Sequence, residues 1–156
     1  MKMLVIYFSL DGHNEKIAKF IGQEFKADIQ KIEMQKKLPS GFFKYFIGGM
    51  MTVLGIKPKV NPLEKNPEDY DIIVMCSPVW ASNFAAPFNS ILSKYNFNNK
   101  KVVLFCTYLG SEDGALEKFK KKLGNANVIF EKSFNEKSMY STDFFIELKN
   151  ILEKIK

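Results

Sequence analysis

Three short blocks, MLVIYF (Met3 to Phe8), DIIVMC (Asp71 to Cys76) and KVVLFC (Lys101 to Cys106), are apolar almost throughout. A strand with one face in water alternates apolar and polar residues. A strand without that alternation is buried on both faces, as in a parallel sheet sandwiched by helices. Two weaker blocks read as further strands, ADIQKIEM (Ala27 to Met34) and one near NVIFEKSF (Asn127 to Phe134). Between the blocks the apolar spacing becomes helical: Ile17, Phe20, Ile21 and Phe25; Phe88, Ile91, Leu92 and Tyr95; Leu116, Phe119 and Leu123; and finally Phe144, Phe145, Leu148, Ile151, Leu152 and Ile155. Strand and helix alternate to the end. This pattern predicts an α/β fold, a doubly wound five-stranded parallel sheet with right-handed crossovers and helices on both faces.

With 156 residues, 46% of them hydrophobic and 15 of them Phe, the chain can build one sizeable core. No repeat or linker divides it, so a single domain over residues 1–156 is expected. No run of about 18 apolar residues suggests an integral membrane segment. The N-terminus passes from one Lys into strand-like residues without a cleavage-site pattern, and the expectation is a cytoplasmic protein. Cys76 and Cys106 lie inside apolar blocks and read as reduced core thiols. The net charge is +6, yet every basic residue is Lys. Without the guanidinium fork, specific recognition of bases and phosphates is poorly served, which argues against a nucleic-acid partner. The KFKKK run (Lys118 to Lys122) reads as a solvated helix face.

In open parallel sheets, ligands bind beyond the carboxyl ends of the strands, where the strand order reverses. Three loops occupy such ends. SLDGHN (Ser9 to Asn14) joins a small hydroxyl residue, a Gly and an amide just ahead of a helix. That makes either an anion cradle on the helix N-terminus or a plain N-cap by Ser9 or Asp11. SPVWASNFAAP (Ser77 to Pro87) carries the only Trp, an aromatic wall for a flat ligand or a plug at the edge of the core. CTYLGSEDG (Cys106 to Gly114) offers a hydroxyl, an aromatic and a Gly, or is an ordinary polar turn.

Taken together and in this order, the three loops resemble those of the flavodoxin-like family, over essentially the whole chain. The resemblance implies the strand order 2-1-3-4-5, with all three loops on one edge, and non-covalently bound FMN. Ser9, Leu10, Asp11, Gly12, His13 and Asn14 correspond to the loop that wraps the FMN phosphate. Its donors would be the backbone N–H groups from Leu10 to Asn14 and the Ser9 and Asn14 side chains. His13 would add a hydrogen bond or stay solvated. Pro78, Val79, Trp80, Ala81, Asn83 and Phe84 would flank the flavin ring, and Thr107, Tyr108, Leu109 and Gly110 would close its other side. No catalytic side chain and no metal is implied, because the flavin carries the chemistry. The electrons or hydride would pass through flavin N5 to a small acceptor or a redox partner protein.

Two places depart from the family's pattern. Asp11 stands where Thr is usual; a carboxylate aimed at a phosphate would repel it, so Asp11 should turn outward, as a cap. Ala81 and Ser82 follow Trp80 where electron-carrying members use Gly in a peptide that flips. A positive φ is costlier there without Gly, and the positive net charge is also unlike those acidic carriers. The expectation is therefore an FMN-dependent oxidoreductase of the NAD(P)H:acceptor type before an electron carrier. A flavin-free interaction module on the same fold is the alternative. A phospho-acceptor receiver is set aside because the third strand ends MCSP, without Asp, and no glycine-rich nucleotide motif is present. The long segment Pro39 to Pro67 reads as irregular. Within it, Gly41 to Lys59 is expected to extend the core and cover the flavin. A homodimer face comes next, and a membrane-surface role is the remaining reading.

Overall fold

The computed structural model describes residues 1–155; Lys156, the last residue of the expected domain, lies outside the described residues. The strands are β1 (Met3–Tyr7), β2 (Asp28–Lys31), β3 (Ile72–Trp80), β4 (Asn83–Phe84), β5 (Lys101–Tyr108) and β6 (Asn127–Asn135). The helices are α1 (His13–Phe25), α2 (Phe43–Val53), α3 (Pro87–Lys94), α4 (Ala115–Leu123) and α5 (Thr142–Ile155). The sheet runs β2-β1-β3-β5-β6, all parallel, with β4 paired antiparallel to the end of β3. With the two-residue β4 set aside, this is the expected order 2-1-3-4-5 of a doubly wound flavodoxin-like sheet.

Strict alternation sends successive side chains to opposite faces, and both faces are dry. Leu4, Ile6, Ile73, Met75, Leu104 and Cys106 pack towards Phe88 and Ile91 of α3 and Phe119 of α4. Met3, Val5, Val74, Cys76, Val103 and Phe105 pack towards Ile17 and Ile21 of α1 and Phe144 and Leu148 of α5. The two thiols thus point to opposite sides of the sheet. Both are buried and free, and burial pushes both thiols well up from their ordinary value. They are inert core residues, as the sequence suggested.

Three boundaries differ from the sequence reading. The second strand is only Asp28–Lys31, while Met34 makes an isolated antiparallel bridge with Val60. The third strand does not stop at Cys76 but continues through Ser77, Pro78 and Val79 to Trp80. The β1 pairing ends with Tyr7 opposite Cys76, so Pro78 has a ladder partner only in β5, at Thr107, before Val79 and Trp80 pair with β4; a one-sided position tolerates Pro. Finally, the segment read as irregular contains α2.

Helix α2 also corrects the expected core role of Gly41 to Lys59. Its only buried residues are Gly48 and Thr52, and Phe42, Phe43, Phe46, Met50, Val53 and Leu54 are exposed. A Cβ on Gly48 would lie 3.1 Å from the Trp80 ring, so the helix backbone rests directly on the indole.

Candidate functional site

The first loop leaves β1 through Phe8 and turns into α1. Gly12 ends the turn at φ 88°, a left-handed conformation that glycine adopts without strain, and nothing lies within 4 Å of where its Cβ would be. Its N–H donates to Ser9 Oγ at 3.0 Å. No side chain caps α1. The amides of His13, Asn14 and Glu15 fall in the first turn, where N–H groups have no partner inside the helix and the dipole is positive.

Asn14 is buried and donates through Nδ2 to Thr107 Oγ1 at 2.9 Å, tying the first loop to the end of β5. Its Oδ1 is buried without a partner. The side chain expected to face the phosphate is thus committed in part to joining two loops.

Asp11 does turn away from the helix end, but not as a cap. It accepts from Lys44 Nζ at 2.7 Å and from Tyr45 Oη at 2.6 Å, which tethers α2 to the loop. Burial pushes its carboxyl up, but the bonds from Lys44 and Tyr45 outweigh that and hold it below the usual carboxylate range. His13 is not left in solvent: Nε2 lies 3.2 Å from Tyr140 Oη, and Nδ1 lies 3.5 Å from Glu136 Oε2. Burial raises the Glu136 carboxyl above its ordinary value; His13 opposes that shift and Asp11 adds to it.

The second loop is a hairpin rather than a loop. Val79 pairs with Phe84 and Trp80 with Asn83, leaving Ala81 and Ser82 as a two-residue turn. Both have positive φ, 45° and 59°, as a primed hairpin turn requires at its two central positions. The absence of Gly was expected to disfavour this geometry. It forms because its neighbours hold it: Lys118 Nζ donates to the Ser82 carbonyl at 2.5 Å, and Ser82 Oγ donates to Asp113 at 3.3 Å.

A recess of about 170 Å³ opens where these elements meet. Ser9, Leu10, Asp11, His13 and Asn14 line it from the first loop, Pro78, Val79 and Trp80 from β3, and Leu109 from beyond β5. The remaining expected residues stand apart from it. Thr107 reaches it only through Asn14; Phe84 stacks on Phe119 with centroids 4.5 Å apart; Asn83 turns its Oδ1 to the Phe84 N–H; and Gly12, Ala81, Tyr108 and Gly110 are not in the lining. Trp80 is 6% exposed, set edge-on to Phe8 at 5.3 Å and covered by Gly48, so only part of the indole is offered to a ligand. Two lining residues escaped the sequence reading, Tyr45 and Glu136. Tyr45 was concealed in the segment without periodicity. Glu136 sits in the 3-10 turn Glu136–Tyr140, after a strand whose following loop carried no motif.

These residues suit an anionic ligand at one end. An uncapped helix terminus and an open left-handed glycine meet there, and the Asp11 carboxylate is neutralised by Lys44; the unpaired Asn14 Oδ1, an acceptor, calls for a donor instead. The other end, with Pro78, Val79, Trp80 and Leu109, is apolar. Among the described residues there is no group of three metal-ligating side chains.

An anion-ready helix terminus at the carboxyl edge of a 2-1-3-4-5 sheet defines the flavodoxin-like class. The model of the NADPH-dependent FMN reductase family matches residues 1–130, and the chain belongs to that family. The FMN expected from the sequence is the flavin named in the family's description. Comparison with curated proteins gave no match. Solved structures agree on the fold. A flavoprotein in complex with FMN from Lactobacillus acidophilus is 23% identical with a TM-score of 0.72, over 88% of this chain and 94% of that one. The two-electron reduced flavodoxin of Megasphaera elsdenii is 17% identical with a TM-score of 0.55, over 86% and 85%. An NADPH-quinone reductase from P. pentosaceus is 11% identical with a TM-score of 0.54, over 95% and 93%. No helix among the described residues is long and apolar enough to cross a membrane.

Proposed function

We propose that the recess binds FMN, with its phosphate on the α1 terminus and its ring towards Trp80 and Leu109. In this reading the chain is an oxidoreductase that takes electrons from a reduced nicotinamide nucleotide and delivers them to a small acceptor of the quinone kind. The observation that carries it is the uncapped start of α1, whose His13 and Asn14 line the same recess as Pro78, Val79 and Trp80. Family membership supports FMN and NADPH, and the likeness to a quinone reductase supports the acceptor class. The two buried, protonated thiols fit a reducing, cytoplasmic setting.

Bound FMN would supply the redox chemistry itself. The chain's own residues have separate tasks. The amides of Gly12, His13 and Asn14 bind the phosphate. Lys44 and Tyr45 hold the Asp11 carboxylate aside, removing the repulsion that residue would otherwise exert. The bond from Asn14 to Thr107 fixes the spacing of the first and third loops. Glu136, its carboxyl raised by burial, lies 3.5 Å from His13 Nδ1 and orients that ring. Lys118 and Asp113 hold the Ala81–Ser82 turn in one conformation, which favours paired-electron chemistry over one-electron carriage by a mobile peptide.

The test is anaerobic mixing of the FMN-loaded protein with NADPH or NADH while the flavin's visible absorbance is followed, with a quinone then added. Full bleaching in one phase, reversed by the quinone, is expected. No bleaching by either nucleotide contradicts the oxidoreductase reading. A flavin-free interaction module is the second reading, favoured by the two carboxylates, Asp11 and Glu136, that line the recess. It predicts no saturable quenching when FMN is added.

A further inference from the structure

The outer side of α2 has no role in the recess. Phe43, Phe46, Met50 and Val53 follow one another at helical spacing, all are exposed, and Phe42 and Leu54 extend the stripe at either end. So much contiguous apolar surface on a small domain marks an interface.

The surroundings of the stripe identify what it meets. From Met34 to Leu63 the chain has five Lys and no carboxylate, leaving 18 basic against 17 acidic residues elsewhere. This one segment therefore carries almost the whole positive charge. Lys44 is paired with Asp11, whereas Lys36, Lys37, Lys57 and Lys59 are exposed and, among the described residues, in no ion pair. Lys36, Lys37 and Lys59 share a recess with Ile47 and Met51 on one flank of α2. On the other flank Lys121 and Lys122, also exposed and in no ion pair, share a recess with Val53. The KFKKK run is therefore not merely a solvated face: its last two lysines complete a basic collar around the apolar helix. No carboxylate lines either recess, or the third one beneath Phe46 and Met50.

We propose that α2 is a docking face for an anionic lipid bilayer, with Phe43, Phe46, Met50 and Val53 inserted at the headgroup boundary and the lysine collar set against lipid phosphates. An apolar stripe flanked by Lys is the chemistry of interfacial membrane helices. A second copy of the chain is the wrong occupant, because a shared α2 interface would bring two lysine collars together with no carboxylate to answer them. The proposal does not depend on the flavin reading. It has a consequence for it, since Tyr45 borders both the face and the site, and docking would bring the site to acceptors dissolved in the bilayer.

Co-sedimentation with phosphatidylglycerol/phosphatidylcholine vesicles, against vesicles of phosphatidylcholine alone, tests it without any activity assay. Binding to the anionic vesicles alone is expected, and it should fall steeply between about 0.1 and 1 M salt, as the Debye length contracts from about 10 to 3 Å. Each lysine near an anionic surface is worth about fivefold in partitioning, so Lys36→Gln/Lys37→Gln/Lys57→Gln/Lys59→Gln should lose nearly three orders of magnitude, about 600-fold. Phe43→Ser/Phe46→Ser should lose about 100-fold through the apolar term alone. Both sets change exposed side chains, so melting temperatures should hold within a few degrees of the parent. Failure of the parent to bind anionic vesicles, equal binding to neutral ones, or either variant binding like the parent overturns the proposal. A dimer in light scattering that Phe43→Ser/Phe46→Ser dissolves, without vesicle binding, overturns it in favour of a second copy.

Discussion

Helices α1 and α4 begin at the same edge of the sheet, each preceded by a glycine in the left-handed region, Gly12 at φ 88° and Gly114 at φ 78°. Their termini are nevertheless opposite in character. At α4, Glu112 accepts from the Gly114 N–H at 3.0 Å and from the Leu116 N–H at 2.5 Å, while the Glu112 carbonyl takes the Ala115 N–H. That terminus carries its own anion. At α1 only the Gly12 N–H is satisfied among the described residues, by an uncharged hydroxyl; of the carboxylates around it, Asp11 is held by Lys44 and Tyr45, Glu15 pairs with Lys19 and Glu136 faces His13, and none accepts from the terminus. An anion that the chain does not supply is wanted at α1 and would be redundant at α4.

The comparison breaks most directly if α1 is given a carboxylate of its own. Ser9→Asp should weaken FMN binding by about 100-fold or more, because charge-assisted hydrogen bonds of about 1.5–3 kcal/mol each are lost to an internal competitor. Its melting temperature should stay level or rise. Calorimetric titration and a thermal melt together check this, and a carboxylate that leaves FMN affinity untouched would mean the phosphate binds elsewhere. Asn14→Ala comes next. It strips Thr107 of its partner and should cost about 1–3 kcal/mol in urea unfolding, with FMN affinity reduced about tenfold as the loops part. Glu112→Ala sharpens the contrast from the other side: about 1 kcal/mol of stability should go, as for a lost cap, while FMN affinity is unchanged.

The smallest effect concerns pH. The Asp11 carboxyl is held below its unfolded value, so its contribution is complete above about pH 4 and disappears as pH falls through the lower folded value. Asp11 is partly exposed, so that contribution should stay below about 1 kcal/mol. The gap in melting temperature between the parent and Asp11→Asn should therefore be flat from neutral pH to about 5 and close on further acidification. A gap that widened in acid would contradict the tether.

The sheet was legible because β1, β3 and β5 are buried on both faces and write that burial into unbroken apolar runs. The helices packed on it were legible for a related reason, since each hides only one side. Helix α2 was not. With aromatic residues, two adjacent glycines and apolar residues all round, FKYFIGGMMTV has low helix propensity, and the helical spacing of Phe43, Phe46, Met50 and Val53 is masked by apolar neighbours. It is held as a helix by contacts distant in sequence, Asp11 to Lys44 and Tyr45, and Trp80 beneath Gly48. The end of β3 was misread because Pro78 argues against a strand until it is known that β1 has already ended. At the site, the loop sequence pointed to Ser9 through Asn14 and to Trp80. It could not reveal that Phe84 faces the core or that Asn14 is bound to Thr107. Tyr45 and Glu136 enter the recess through tertiary packing alone.

The central claim is that the open start of α1 holds a phosphate. Parallel titrations of the flavin-free protein with FMN and with riboflavin, in phosphate-free buffer, isolate that group, since the two ligands differ only there. Binding of FMN about 100-fold or more tighter than riboflavin, with the difference abolished in Ser9→Asp, is the predicted result. Equal affinities for the two flavins would contradict it.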